Sequence, residues 1–193
     1  MSSTSHFFAL VSRMKYINRW ALMKNTSNEN LCEHSFEVAI IAHALCIIGN
    51  ERLGHNYDAD KASVFALYHD FTEIITGDMP TPIKYKNDTL KTAYKNIERE
   101  TAQSLVEYLP NDLKGEYEKI MLDIPDELKP IIKAADKISA LIKCTEEMKM
   151  GNNEFKTAKQ STYEAIRKMN LPEADMFLDE FIPSYSLTLD ELK

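Results

Sequence analysis

Residues 59–80 read ADKASVFALYHDFTEIITGDMP and combine helical periodicity with side chains that can bind a metal or a proton. Their apolar side chains recur at helical spacing, at Ala62, Phe65 and Ala66. His69 continues this apolar line, so its imidazole is expected to point inward, where it needs a hydrogen-bond partner or a metal. The pattern predicts one helix from after Asp58, through His69 and Asp70, to about Thr76, with Gly77 ending it.

Helical periodicity recurs along the rest of the chain, whereas alternating β-branched strands are hard to find. A first helix is expected over residues 7–17, and a second begins with Asn30 as its cap and stops near Gly49 and Asn50. Further helices are predicted at residues 89–108, 112–122, 126–150, 153–169 and 173–181. The predicted fold class is all-α. Because no repeat or flexible linker divides the chain, residues 1–193 are expected to form a single-domain helical bundle.

Composition excludes several classes of protein. The chain has 193 residues, 44% hydrophobic and 27% charged, as in ordinary globular proteins. Its net charge of −7 argues against a basic surface for a nucleic acid polymer, and its three cysteines form no disulfide framework or zinc motif. No signal peptide is visible, and the longest apolar run, residues 38–48, is far below the ~20 residues that span a bilayer. We therefore expect a cytoplasmic protein without a membrane partner.

Two further polar side chains lie among apolar residues. His34 heads the apolar line Val38, Ile41 and Leu45, and Asp136 lies within KAADKISAL, residues 133–141. Each alone has an ordinary alternative, because an inward histidine is often a hydrogen-bonded core residue and a helical aspartate is often solvated or paired with lysine. Together with His69 and Asp70, however, they supply two imidazoles and two carboxylates, which suit a divalent metal.

The order His34, then His69 and Asp70, then Asp136 resembles the metal-binding signature of the HD-domain phosphohydrolases, an all-helical superfamily. Within that superfamily, the chain is most similar to the bacterial 5′-deoxynucleotidases. The segments that carry this resemblance are SHFFALVSRMKYINRW, NLCEHSFEVAIIAHAL, ALYHDFTEIITGDMPTPIKY, KAADKISALIKCTEEMKMGNNEF and PSYSLTLDEL. The resemblance covers nearly the whole chain, and it implies a helical bundle of the HD-domain type.

The resemblance implies one divalent cation with open positions for water and a phosphate oxygen. Its ligands would be His34, His69, Asp70 and Asp136. His34 and Asp136 would also lie close to the substrate. Glu73, one turn beyond His69, is similar in position to the family's acid/base residue, and Asp78 is a second catalytic candidate. A solvated helix carboxylate is the ordinary alternative for Glu73. Cobalt is the cation expected in vitro, with Mn²⁺, Mg²⁺, Zn²⁺ or Cu²⁺ as alternatives.

The resemblance also implies the residues that contact the substrate. Arg19 would grip the phosphate, and Trp20 would close over the sugar so that a 2′-hydroxyl fits poorly. Asp78 and the loop after it would complete the contacts, with two prolines holding the backbone in place. The loop residues are Thr81, Pro82, Ile83 and Lys84. Without the resemblance, these would be a core tryptophan, a surface arginine and a rigid turn.

The sequence therefore predicts a metal-dependent 5′-deoxynucleotidase that hydrolyses deoxyribonucleoside 5′-monophosphates and selects against ribonucleotides. The resemblance further implies a homodimer. Two alternatives are another HD-type phosphohydrolase, acting on a triphosphate or a cyclic nucleotide, and a non-catalytic nucleotide-binding module that regulates a partner. Glu73 and Asp78 speak against the second alternative, because a pure binder needs no proton-transfer carboxylate beside a metal.

Overall fold

A computed structural model describes residues 4–84 and 86–193, without the side chains of Thr81 and Pro82. Helices are the regular structure of these two ranges, and no strand occurs within them. The α-helices are α1 (Phe7–Val11), α2 (Leu31–Leu53), α3 (Ala59–Leu67), α4 (Glu73–Thr76), α5 (Thr81–Lys84), α6 (Asp88–Val106), α7 (Asn111–Leu122), α8 (Lys129–Lys149), α9 (Lys156–Arg167) and α10 (Pro172–Glu180). Short 3-10 helices cover Ser12–Tyr16, Asn153–Phe155 and Ile182–Ser186. The prediction of an all-α fold is confirmed.

Helix α2 begins as predicted and ends later than predicted. The Asn30 side chain accepts hydrogen bonds from the backbone N–H groups of Cys32 and Glu33, and Glu33 accepts one from the Asn30 N–H, which forms a capping box. The expected stop at Gly49 and Asn50 is wrong. The Asn50 side chain instead bonds both backbone groups of Tyr57 while the helix continues to Leu53.

The prediction of one continuous helix up to Thr76 is also wrong. α3 ends at Leu67, residues 68–72 form turns, and α4 begins at Glu73. In the turn, the N–H of Phe71 bonds the carbonyl of Tyr68 at 3.2 Å, a three-residue spacing in place of the helical four. His69 and Asp70 therefore lie in a turn between two helices. Gly77 follows α4 with φ of +72° and ψ of 163°, a conformation that favours glycine.

The described residues divide into two compact units. The first comprises residues up to Leu22, Asn28–Ser35 and Leu67–Ile124. Its buried apolar residues form two clusters, one of Met14, Leu31, Phe71, Ala102 and Leu105 and one of Phe7, Val106 and Leu109. Because Phe71 belongs to the first cluster, this core anchors the turn that carries His69 and Asp70.

The second unit comprises Met23–Ser27, Phe36–Ala66 and Pro125–Lys193. Helix α8 buries more than half of its side chains, including Lys143 and Glu147. These two form a buried ion pair with an N–O distance of 2.5 Å. The Glu147 carboxylate also accepts hydrogen bonds from Thr26 and from Asn152, which fixes residues 23–27 to the end of α8.

Among the described helices, α2 alone is long and apolar enough to cross a membrane, with mean hydropathy of 1.6 over 18 residues. The protein buries 56% of that 18-residue window. A buried core helix passes the same test of length and composition, so this feature does not by itself indicate a membrane protein.

Candidate active site

The candidate site in the first unit starts from a short backbone pairing. The Leu31 N–H bonds the Ile17 carbonyl at 3.0 Å, and the Arg19 N–H bonds the Glu29 carbonyl at 2.9 Å. This pairing places Arg19 and Trp20 beside the first turn of α2. Trp20 has a φ of +58°, a left-handed conformation that a bulky side chain adopts only when its surroundings impose it.

Two imidazoles and a carboxylate converge beside this pairing. His34 comes from the first turn of α2 and is 1% exposed. His69 and Asp70 come from the turn between α3 and α4. Oδ2 of Asp70 lies 3.0 Å from Nε2 of His69 and 3.6 Å from Nε2 of His34, and the two imidazole ring centres are 5.2 Å apart.

The charge state of Asp70 is set by these neighbours. Burial opposes the charged carboxylate, but His69, then His34 and Arg19, outweigh burial and hold the pKa of Asp70 below its ordinary range. Nη1 of Arg19 lies 3.5 Å from Oδ2 of Asp70. Asp70 is therefore an ionised carboxylate beside two imidazoles and a guanidinium.

These donors fit a divalent metal ion. Neutral imidazole nitrogens and an ionised carboxylate are the ligands that several first-row ions prefer. His34, His69 and Asp70 present these atoms toward one another within a single unit. Asp136, the fourth predicted ligand, lies on α8 in the second unit and is partly buried.

Glu73 and Lys84 extend the site from α4 and α5. Glu73 is 3% exposed, and its Oε2 has no hydrogen-bond partner among the described residues. Burial first, and then the negative charges of Asp70 and Asp78, raise the pKa of Glu73 to about 9. The buried carboxyl is consequently protonated near neutral pH. The alternative of a solvated carboxylate at this position is wrong.

Lys84 lies between two carboxyl groups. Its Nζ donates to Oε1 of Glu98 at 2.9 Å and lies 3.9 Å from Oε1 of Glu73. Burial opposes the ammonium charge, but the hydrogen bond and charge of Glu98 outweigh it and raise the pKa of Lys84. Sequence reasoning missed Glu98, because its partner is 14 residues away on another helix.

The segment from Asp78 to Lys84 was expected to be a rigid loop, and its second half is instead the short helix α5. Asp78 is partly buried, and burial raises its pKa although Arg19 opposes the shift. Ile83 is exposed. The predicted contacts of the Thr81 and Pro82 side chains lie outside what the structure describes.

Glu29 is a second residue of this site that sequence reasoning did not find. Its Oε2 accepts a hydrogen bond from Nε1 of Trp20 at 3.0 Å. Its Oε1 lies 3.3 Å from Nε of Arg19 and 3.4 Å from Nδ1 of His34. Glu29 precedes α2 in a polar stretch that reads as an ordinary loop, and its contacts depend on the backbone pairing rather than on a local motif.

Comparisons with known proteins relate the chain to one family. A family model described as 5′-deoxynucleotidase YfbR-like matches residues 6–185. A 5′-deoxynucleotidase of Yersinia pestis (strain Pestoides F) is 46% identical over 191 residues, which are 97% of this chain and 96% of that protein.

Solved structures share the fold. An HD-domain phosphohydrolase from Listeria innocua matches with a TM-score of 0.80 at 24% identity, over 93% of this chain and 88% of that one. The HD phosphohydrolase DatZ of cyanophage S-2L, solved with dA and one catalytic Zn²⁺ ion, matches with a TM-score of 0.68 at 18% identity, over 95% of this chain and 98% of that one. The prediction of an HD-domain fold is confirmed.

Proposed function

The chain belongs to the YfbR-like 5′-deoxynucleotidase family, and we propose that it hydrolyses deoxyribonucleoside 5′-monophosphates to deoxyribonucleosides and phosphate. The observation that carries this proposal is the convergence of His34, His69 and Asp70 beside Arg19 in one unit. Such a cluster offers ligands for a cation and a guanidinium for a phosphate group in the same place.

We propose that one divalent cation is held by the four predicted ligands, His34, His69, Asp70 and Asp136. A bound cation would polarise the phosphoryl group and activate water. Cobalt is the ion that we expect to support activity in vitro, and Mn²⁺, Mg²⁺, Zn²⁺ and Cu²⁺ are the others to test. The Zn²⁺ ion in the DatZ structure belongs to a protein of the same fold and supports the proposal of a metal.

The other predicted residues would bind the substrate and move a proton. Arg19 would hold the phosphate with its guanidinium, and Lys84 and the loop of Thr81, Pro82 and Ile83 would hold the nucleotide from the other side. Glu73, which is buried and has a raised pKa, would give its proton to the leaving 5′ oxygen. Asp78 would assist, since its charge acts on Glu73 and on Arg19.

Selection against ribonucleotides is proposed for Trp20. The Glu29 hydrogen bond and the left-handed backbone fix the indole in one position. A fixed ring that packs against the 2′ carbon of a deoxyribose leaves no room for a hydroxyl group, and it offers that hydroxyl no hydrogen-bond partner.

Phosphate release tests the function directly. Chelator-stripped protein is incubated with dAMP, dCMP, dTMP and their ribonucleotide counterparts, with each divalent ion added back separately. We expect metal-dependent release of phosphate from the deoxy series. Parallel reactions contain a deoxynucleoside triphosphate or a cyclic nucleotide, and release of triphosphate from the first or of a monophosphate from the second would identify another phosphohydrolase. If no product forms while circular dichroism shows that the protein is folded, the remaining alternative is a non-catalytic nucleotide-binding module.

We also propose a cytoplasmic homodimer in which residues 1–193 act as one domain. The observation that supports a dimer is an apolar stripe along α2, where Phe36, Ile40 and Ile47 are 63%, 54% and 41% exposed. Sedimentation velocity tests this proposal. Ile40→Glu is expected to give monomers, whereas Ile97→Glu, at a similarly exposed isoleucine of α6, should leave the dimer intact.

A further inference from the structure

The carboxylate of Glu29 contacts three residues that the proposed function places around the substrate and the cation. One oxygen accepts the Trp20 indole N–H, and the other faces Nε of Arg19 and Nδ1 of His34. All four residues belong to the first unit. The Glu29 side chain is only 12% exposed, so protein groups rather than water satisfy most of its charge.

The contact with His34 determines which ring nitrogen is available to a cation. A carboxylate only accepts hydrogen bonds, and a neutral imidazole donates only from the nitrogen that carries its hydrogen. A carboxylate beside Nδ1 therefore favours the tautomer with the hydrogen on Nδ1. The other nitrogen, Nε2, keeps its lone pair, and it is the nitrogen that lies toward Asp70. Carboxylates that orient ligand histidines in this way commonly change metal affinity 10–100-fold when they are replaced.

The contact with Trp20 acts on the substrate side of the same cluster. Trp20 has an unfavourable backbone conformation, with φ of +58°. The indole hydrogen bond to Glu29 helps to compensate for that strain and fixes the direction of the ring.

We propose that Glu29 is a positioning residue that prepares His34 for the cation and Trp20 for the sugar through a single carboxylate. The inference rests on the proposed function of the site. It requires the carboxylate of Glu29, whose oxygens accept the Trp20 N–H and lie 3.3 Å from Nε of Arg19 and 3.4 Å from Nδ1 of His34. A glutamine at this position would turn its amide N–H group toward at least one of these donors, and that contact would be lost.

Glu29→Gln and Glu33→Gln form a matched pair for the test. Glu33 lies four residues further along, is exposed, and caps the start of α2 through an interaction that glutamine also makes. Cobalt binding to the chelator-stripped proteins is measured by isothermal titration calorimetry. For Glu29→Gln we expect 10–100-fold weaker Co²⁺ binding and a smaller ratio of kcat/KM for dAMP over AMP. Glu33→Gln should match the wild-type protein in both.

Wild-type cobalt affinity in Glu29→Gln, or equal losses in both variants, would overturn the proposal. A second readout uses the unmutated protein, so it does not depend on whether a variant folds. Long-range ¹H–¹⁵N spectra, assigned with His34→Gln, report the tautomer of His34, for which we expect hydrogen on Nδ1. Hydrogen on Nε2 would also overturn the proposal. If the wild-type protein releases no phosphate while cobalt affinity still depends on Glu29, the proposed function fails and the role of Glu29 at His34 stands.

Discussion

At the scale of single residues, burial and neighbouring charges together decide the protonation state of the carboxyl groups at this site. Glu73 and Asp70 are three residues apart, yet their pKa values move in opposite directions. Asp70 has His69, His34 and Arg19 around it and stays ionised. Glu73 is buried beside negative charges, so it keeps its proton near neutral pH. This difference suits the separate roles of ligand and acid that we propose for the two neighbouring carboxyl groups.

The first prediction concerns Glu73→Gln. Glutamine has the shape of a neutral carboxyl group and cannot transfer a proton, so kcat should fall by about 10²–10⁴-fold while the affinity for dAMP is retained. The control is Glu100→Gln, at an exposed glutamate of α6. Steady-state kinetics and equilibrium binding provide the two readouts. Unchanged turnover would remove Glu73 from the mechanism.

The second prediction concerns Trp20, the only tryptophan of the chain. Trp20→Ala should admit a 2′-hydroxyl and bring the kcat/KM values for AMP and dAMP closer together by about 10-fold or more. Because no other tryptophan contributes, the indole fluorescence of the wild-type protein should also change when dAMP is added. If Trp20→Ala keeps the wild-type preference for dAMP over AMP, residues other than Trp20 discriminate against the 2′-hydroxyl.

At the scale of helices, sequence periodicity located the elements and misplaced some of their ends. Helices α6, α7 and α10 begin and end within two residues of the predicted bounds, because their apolar positions and flanking prolines are local signals. The turn at residues 68–72 could not be predicted, since its residues continue a helical pattern. Phe71 packs into the core of the first unit, and this tertiary contact stabilises the turn over a continuous helix.

The third prediction distinguishes two glycines within helices. A Cβ at Gly49 would lie 2.7 Å from the Tyr57 ring, whereas nothing lies within 4 Å of one at Gly115 in α7. Gly49→Ala should therefore lower the free energy of unfolding by about 1–3 kcal/mol through overpacking. Gly115→Ala should raise it by about 0.5–1 kcal/mol through helix propensity. Urea denaturation measures both, and equal effects would contradict the packing of Gly49 against Tyr57.

The fourth prediction concerns acid stability and the buried pair of Lys143 and Glu147. Burial opposes the Glu147 charge, but the hydrogen bonds from Lys143, Thr26 and Asn152 outweigh it and lower its pKa. A lowered pKa in the folded state stabilises the protein above the ordinary glutamate pKa of about 4.3, and the benefit is lost as the pH falls below that value.

Glu147→Gln should thus lower the free energy of unfolding by about 3–5 kcal/mol at pH 7, because Lys143 is left buried without a counter-charge. Urea titrations at several pH values measure this free energy for both proteins. The difference between the variant and the wild-type protein should become smaller as the pH falls from 5 to 3, through the ordinary glutamate pKa of about 4.3. The double variant Lys143→Met/Glu147→Leu serves as the control and should recover much of the loss. A constant difference at every pH would exclude titration of Glu147 as the cause.

At the scale of the whole molecule, the resemblance to a known family named most of the side chains that the structure brings together. His34, His69, Asp70, Glu73, Arg19 and Lys84 lie in one compact unit. Glu29 and Glu98 escaped prediction, because each acquires its place only when distant segments pair. Neither Glu29 in its loop nor Glu98 on its helix has a local sequence feature that distinguishes it from a solvent-exposed glutamate.

The fifth prediction tests the proposed fourth ligand, Asp136, through the stability of the folded protein. A cation that binds only the native state raises stability by mass action, by about 2.7 kcal/mol at 100 times its Kd. Added Co²⁺ should raise the Tm of chelator-treated wild-type protein and do so much less for Asp136→Asn. Asp126→Asn, at a 93% exposed aspartate, should respond like the wild-type protein. An equal rise in Asp136→Asn would remove Asp136 from the ligand set.

Each compact unit is assembled from three separate segments of chain, and the last segment of the first unit ends at Ile124. During synthesis on a ribosome, the first unit therefore has all of its segments while much of Pro125–Lys193 is still to be made. The residues around Arg19, Glu29, His34 and Asp70 can meet at that stage, before α8 and Asp136 have emerged. A nascent chain halted soon after the first unit has left the exit tunnel should already protect these residues from protease.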